Sequence, residues 1–181
     1  LEATKKKEID YYIQSMLLMN KLLKEGIDRK TAAKIACGIE EAEREKSKVV
    51  QRIEKEKEDK NKLLKKIHKK FMKRVSSKNC KVWLVKGELV RALFYTDFTQ
   101  GGHEFVYDFV PKGEVWMDDD LYRKEIPFVL IHELHERALM SKGMKYDPAH
   151  AKSNLLEYSC RNNPKKTQEV LDKEIKINKN I

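Results

Sequence analysis

Within Ile126–Gly143, IPFVLIHELHERALMSKG, four ligand-type side chains fall in five positions: His132, Glu133, His135 and Glu136. Imidazoles and carboxylates hold zinc and similar divalent ions, and they exchange protons near neutral pH. The apolar run around them has the length of a helix, with Pro127 suited to its first turn and Gly143 to its end. Stepping about 100° per residue sets Glu136 about 40° from His132, His135 about 60° to the other side and Glu133 about 100° away. Phe128, Val129, Leu139 and Met140 share that sector, while Ile131, Leu134 and Ala138 cover other directions. The polar groups therefore lie inside an apolar arc, where burying an unpaired charge is expensive. A divalent metal or a hydrogen-bonded network has to compensate. For a metal, His132 and Glu136 stand one turn apart, as a helix-borne chelate requires. His135 is a further ligand beside them, and Glu133 would hold the proton of an activated water. For a network, Glu133 and Arg137 make an i,i+4 ion pair.

The next helix supplies more candidates. His150, Asn154 and Glu157 recur at i, i+4 and i+7, beside Ala151, Leu155 and Tyr158. The connection SKGMKYD is short, so the two helices should pack antiparallel. Reflection about the loop sets Glu157 opposite His132 and Ser153 or Asn154 opposite Glu136. His150 falls nearer Leu139. The expected metal set is His132, His135, Glu136 and Glu157, with His150 behind them or, if the loop is skewed, among them. Asp118, Asp119 and Asp120 form another carboxylate cluster, which reads as a polar turn or as a contributor to a metal or substrate amine.

A His-Glu helix with a ligand at i+4 and a glutamate on the following antiparallel helix resembles the zincin metallopeptidases, and their gluzincin branch in particular. The run EVWMDDDL…IPFVLIHELHERALMSKGMKYDPAHAKSNLLE is also similar to phage and prokaryotic proteins that carry a HELHE segment. The likeness spans about Val82–Arg161. It implies a zinc cofactor, a peptide or protein substrate and hydrolysis by a metal-activated water, with Glu133 as general base; His103 and Tyr107 are candidates to steady the oxyanion, and no residue pattern selects either. It also implies that Gly113–Asp120 is the strand beside the substrate. One departure stands out: the zincin pattern HExxH is absent, because Glu136 occupies its second histidine position and His135 sits one residue earlier. A carboxylate ligand adds negative charge and lowers the Lewis acidity of the metal. Alternatively, His135 takes the ligand role and Glu136 orients it.

The elements that must position these residues divide near residue 79. Before it, Ile9, Tyr12, Ile13, Met16, Leu17 and Leu23 recur at helical spacing, with Gly26 as a stop and Asp28 as the next N-cap. From Lys30 to about Val75 there is no proline. Ile35, Ala36, Ile39 and Ala42 make one stripe, Val49, Val50 and Ile53 continue it, and Leu63, Leu64, Ile67, Phe71 and Val75 resume it. Between them, Glu54–Lys62 is wholly polar, with Glu56–Lys60 and Glu58–Lys62 pairs suited to a solvated helix or a hinge. After residue 79, Lys81–Lys86, Glu88–Tyr95, Glu104–Val110 and Glu114–Met117 read as strands, with Gly101–Gly102 as a hairpin turn. Asp147 and Pro148 open the second helix of the site, and Val170, Leu171 and Ile175 mark a short final helix. The expectation is an α+β fold: a long N-terminal helical hairpin, then a small antiparallel sheet packed on a helix pair. The corresponding domains are a coiled-coil-like arm over 1–78 and a metal-binding domain over 79–181.

Composition narrows the partners. Charged residues make up 38% of the chain, too many for a uniformly compact globule, so part of the helical arm should be solvated. Lys and Arg number 39 against 29 Asp and Glu, a net charge of +10. That charge gives non-specific affinity for nucleic acid. Beyond a faint helix-turn-helix likeness in Leu22–Ile39, no motif makes nucleic acid the expected partner. The helical arm suits a homo-oligomer or a partner protein, and the alternative to a hydrolase is a non-catalytic, metal-stabilised assembly protein. Cys37, Cys80 and Cys160 form no CxxC pair, which argues against a thiolate zinc site and for a reducing compartment. No apolar run reaches membrane-spanning length and no secretory leader pattern is legible, so the expected location is cytoplasmic, with no membrane partner.

Overall fold

A computed structural model describes residues 6–48, 50–51 and 60–181. Two compact units divide the chain: Leu1–Ile67 with Lys86–Phe98, and His68–Val85 with Thr99–Ile181. Among the described residues, no helix is long and apolar enough to cross a membrane.

In the first unit, α1 (Lys6–Lys24) and α2 (Arg29–Glu45) pack against each other, joined by a turn of four residues. Gly26 adopts φ +85°, and the bonds Gly26 N–H to Leu23 O and Ile27 N–H to Leu22 O close α1 in a Schellman turn. The Asp28 side chain accepts from the N–H groups of Lys30 and Thr31, so stop and cap fall where the sequence signals them. One buried carboxylate ties the unit together. Glu8 accepts from Arg44 at 2.8 Å and from Arg91 at 2.6 Å, and Arg44 also bonds Glu40. Arg91 belongs to a short helix, α4 (Gly87–Leu93), where Glu88–Tyr95 had read as a strand. Short apolar runs fit either period, and Glu88, Leu89, Arg91, Ala92 and Leu93 are good helix formers. The proline-free stretch from Lys30 to Val75, read as helix, solvated or hinged in its polar gap, is interrupted earlier, at Lys46. α3 covers Lys60–Ile67. The pairs Glu56–Lys60 and Glu58–Lys62, with Val49 and Ile53, fall outside the described residues.

The second unit begins where helical periodicity promised more helix. β1 (His68–Phe71) pairs antiparallel with β2 (Lys81–Val85), and the His68 and Phe71 rings lie against Trp83. Pairing with the next strand overrides local periodicity here. β3 (Gly101–His103) pairs antiparallel with β4 (Glu114–Asp118), but β4 runs parallel to β2. The sheet order is β1-β2-β4-β3, so the sheet is mixed rather than an antiparallel meander. The fold class is α+β. Glu104–Val110 forms turns instead of a strand, because the Glu104 carboxylate is drawn to Arg137 and to the N–H of Gly113. Gly101 and Gly102 lie inside β3 rather than in a hairpin turn.

Helix α5 (Ile126–Met140) packs across this sheet, with α6 (Tyr146–Asn162) and α7 (Thr167–Asn178) beside it. α6 starts a residue before the expected Asp147 cap and has no side-chain cap. Val82, Val115 and Met117 meet Val129, Leu130, Ile131 and Leu134 in the core, joined by Cys160 and Leu171. Packing on three sides explains why α5 is apolar nearly all round. It also means that polar groups on α5 are buried unless a cavity reaches them.

Candidate metal centre

A cavity of about 300 Å³ reaches them. Its walls are Thr99–Gly102 along β3, Val106 and Tyr107 after it, His132, Glu133 and Glu136 on α5, and Tyr146, His150, Asn154 and Glu157 on α6. Three donor atoms meet there. His150 Nδ1 donates to Glu136 Oε2 at 2.8 Å and lies 3.1 Å from His132 Nε2, which is 3.5 Å from the same oxygen. A tetrahedral site with ligands ~2.0–2.1 Å from the ion has neighbouring donors about 3.3 Å apart. The triangle drawn by these atoms has that size, and the set of two imidazoles and a carboxylate suits zinc.

The remaining contacts orient the three. His132 Nδ1 donates to Glu157 Oε2 at 3.0 Å, which turns Nε2 towards the cavity. Arg161 holds the other Glu157 oxygen through Nε at 2.9 Å. The Tyr146 ring stacks on His150 with centroids 5.2 Å apart. His103 is fully buried, with Nε2 3.2 Å from Glu136 Oε1 but off the line of a good hydrogen bond. Its Nδ1 accepts from the N–H of Phe105.

The electrostatics follow from burial and crowding. Burial works against charge on His132, but hydrogen bonds to Glu136 and Glu157 and the Glu133 charge outweigh it, raising the pKa to about 10. Burial would raise Glu136, yet the His103, His132 and His150 rings bring it down to about 2. Glu157 is lowered too: its bonds to His132 and Arg161 overcome its burial. Glu133 goes the other way. Burial pushes it up to about 8, His132 pulls against this, and the Glu136 and Glu157 charges add to the rise. Two carboxylates one turn apart are thus driven in opposite directions by burial and by their different neighbours.

The sequence-derived set is only partly assembled. His132, Glu136 and Glu157 come together, with Glu157 on the far nitrogen of His132 rather than at the donor triangle. His150 joins the triangle: it faces Glu136 one turn of α6 before Asn154, the position that reflection about the loop had set there. His135 does not join: it faces α7, 3.2 Å from Glu174 Oε1. Because α5 is flanked by α6 and α7, its rotation of about 60° from His132 carries it to the other neighbour. Arg137 pairs with Glu104 and Asn178 instead of Glu133. β4, expected beside the substrate, is an interior strand buried along its whole length, and β3 is the edge strand that lines the cavity. His103 was an undistinguished candidate in the sequence, since no spacing rule links β3 to α5. Asp118 Oδ1 accepts from Asp120 N–H and Lys69 pairs with Asp119, as in a polar turn.

Comparisons of the chain with protein-family models, with curated proteins and with solved structures give no match.

Proposed function

We propose that this chain is a zincin-like metal-dependent hydrolase of peptides or proteins, with zinc on His132, Glu136 and His150 and with Glu133 as general base. The observation that carries this reading is the meeting of His132 Nε2, His150 Nδ1 and Glu136 Oε2 within 3.5 Å of one another, in a cavity that Glu133 also lines. A divalent ion bound there supplies a Lewis acid and lowers the pKa of water towards ~7. Glu157, braced by Arg161, keeps the Nδ1–H of His132 engaged so that Nε2 stays free to ligate. Glu133 takes the proton of the attacking water and passes it to the leaving amine, work open to a carboxylate that lines the cavity beside the donor triangle. The outer edge of β3 is suited to pair with an extended peptide whose scissile bond faces Glu133. In a zinc-replete preparation the purified chain carries about one zinc. Glu133→Gln keeps that zinc and loses release of soluble peptides from casein. Absence of zinc, or undiminished hydrolysis by the variant, overturns the reading.

A second reading rests on α1, where Ile13, Met16 and Leu17 are 48%, 66% and 64% exposed. Apolar side chains grouped this way on a helix suit an assembly or partner surface, with the metal as a structural clamp. On that reading Glu133→Gln is silent and Leu17→Glu splits an oligomer seen by light scattering. A strict monomer counts against it.

A further inference from the structure

The donor set leaves one chemical problem. A glutamate ligand can bind through both oxygens, which would fill the position a catalytic metal keeps open for water. It also brings a full negative charge. Both problems depend on Glu136 Oε1, the oxygen turned away from His132 and His150. The atom facing it is Nε2 of His103, 3.2 Å away and fully buried. The proton on that ring can be located. Phe105 N–H donates to Nδ1 at 3.3 Å, so Nδ1 carries a lone pair and the neutral ring bears its hydrogen on Nε2. The Nε2–H has no well-aligned acceptor, and an unsatisfied donor at such depth is costly, so Glu136 Oε1 is drawn to it.

Resting on the metal-site reading above, we infer that His103 is a positioning residue: as an Nε2–H donor it holds Glu136 Oε1, so that Glu136 ligates through Oε2 alone. The hydrogen bond withdraws charge from the carboxylate and makes it a weaker, more histidine-like donor. It also keeps the fourth position open beside Glu133. His103, Glu133 and Glu136 also bring their donor atoms within 4.8 Å of one another, which would otherwise suggest a second ion. The Phe105 N–H argues against that ion, because Nε2 ligation requires Nδ1 to be a donor.

The test compares the full-length wild type with His103→Leu, which has no donor, and His103→Gln, whose amide can replace Nε2–H. Each is loaded with zinc for affinity, by chelator competition, and with cobalt(II) for its visible spectrum, whose intensity falls as coordination rises above four. The wild type binds one ion per chain with an intense four-coordinate spectrum. His103→Leu binds about 10–100-fold more weakly, in the range for loss of a group that orients a ligand, and its cobalt bands fade. His103→Gln restores both. Proton–nitrogen correlation NMR of the zinc-loaded wild type, which needs no variant to fold, finds His103 as the Nε2–H tautomer. Unchanged affinity and spectrum in His103→Leu, failure of His103→Gln to restore them, an Nδ1–H tautomer, or two ions per wild-type chain each overturn the His103 assignment alone. A wild type that binds no ion overturns the metal site and this inference together.

Discussion

Glu133 on α5 lies so close to Gly101 on β3 that a Cβ at residue 101 would stand 3.1 Å from both its Cγ and its Oε1. The same Cβ would be 2.9 Å from the carbonyl oxygen of Trp116, which is backbone and cannot swing away. The glycine therefore lets helix and sheet approach closely enough for the Glu133 carboxyl to reach the cavity wall. Gly101→Ala should cost roughly 1–3 kcal/mol through overpacking. It should also displace Glu133 and so, on the proposed function, lower hydrolysis. Chemical denaturation checks the first effect, and an unchanged midpoint would show that the contact is not tight.

The proposed ligands and the groups behind them should separate by the size of their effects on zinc affinity. His150→Ala and His132→Ala remove donors and should abolish measurable binding. Glu157→Gln should weaken it by about 10–100-fold, since Glu157 only orients His132. His135→Ala should leave it unchanged, because His135 faces Glu174. Calorimetric titration with zinc decides among these, and a large loss in His135→Ala would contradict the orientation of that ring.

Adding zinc should raise the unfolding temperature, because only the folded chain assembles the triangle. At 100 times its Kd the gain is about 2.7 kcal/mol. A chelator should remove it. A melting curve indifferent to both would mean that the cluster binds no ion.

Glu133 should destabilise the metal-free fold as pH rises. Its folded pKa of about 8 exceeds the ordinary value near 4.5, so the native state binds the extra proton. Stability from this group is complete below about pH 4.5 and is lost as pH climbs through the folded value. Glu133→Gln removes that loss. With chelator present, the variant should melt above the wild type, by a margin that grows from pH 5 to pH 9. Parallel curves over that range would refute the raised pKa.

Glu8 carries the opposite dependence in the first unit. Burial works to raise its pKa, but the bonds and charges of Arg44 and Arg91 prevail and lower it. Its contribution is present above the ordinary value near 4.5 and is lost as pH falls through the lower folded value. Glu8→Gln leaves two buried guanidiniums short of a carboxylate and should cost roughly 3–5 kcal/mol near pH 7. The penalty should shrink in acid. Urea unfolding at pH 7 and pH 3 measures both.

Local signals on the chain were reliable wherever the chemistry is local. Gly26 and Asp28 mark the α1–α2 turn because positive φ and a free side-chain acceptor are properties of single residues. The apolar arc of α5, broken by His132, Glu133 and Glu136, reveals a buried polar cluster because helix geometry sets which side chains share a face. Antiparallel packing across a short loop was enough to bring Glu157 to His132.

What the chain could not reveal alone depends on packing between distant elements. A periodicity of apolar residues continues through Phe71, yet His68–Phe71 becomes a strand because β2 and Trp83 offer a better partner than another helical turn. The parallel pairing of β2 with β4 makes β3 the edge beside the cavity, a choice set by sheet order rather than by any strand's own residues. In the sequence His135 belongs to the expected ligand set, and His150 stands behind it. The second flanking helix, α7, claims the first, and α6 brings the second to Glu136. Residue types and spacing on one helix thus determined that a buried polar cluster exists. Only the tertiary structure decided its members, because side chains from α5, α6 and β3 converge through contacts that no single element encodes.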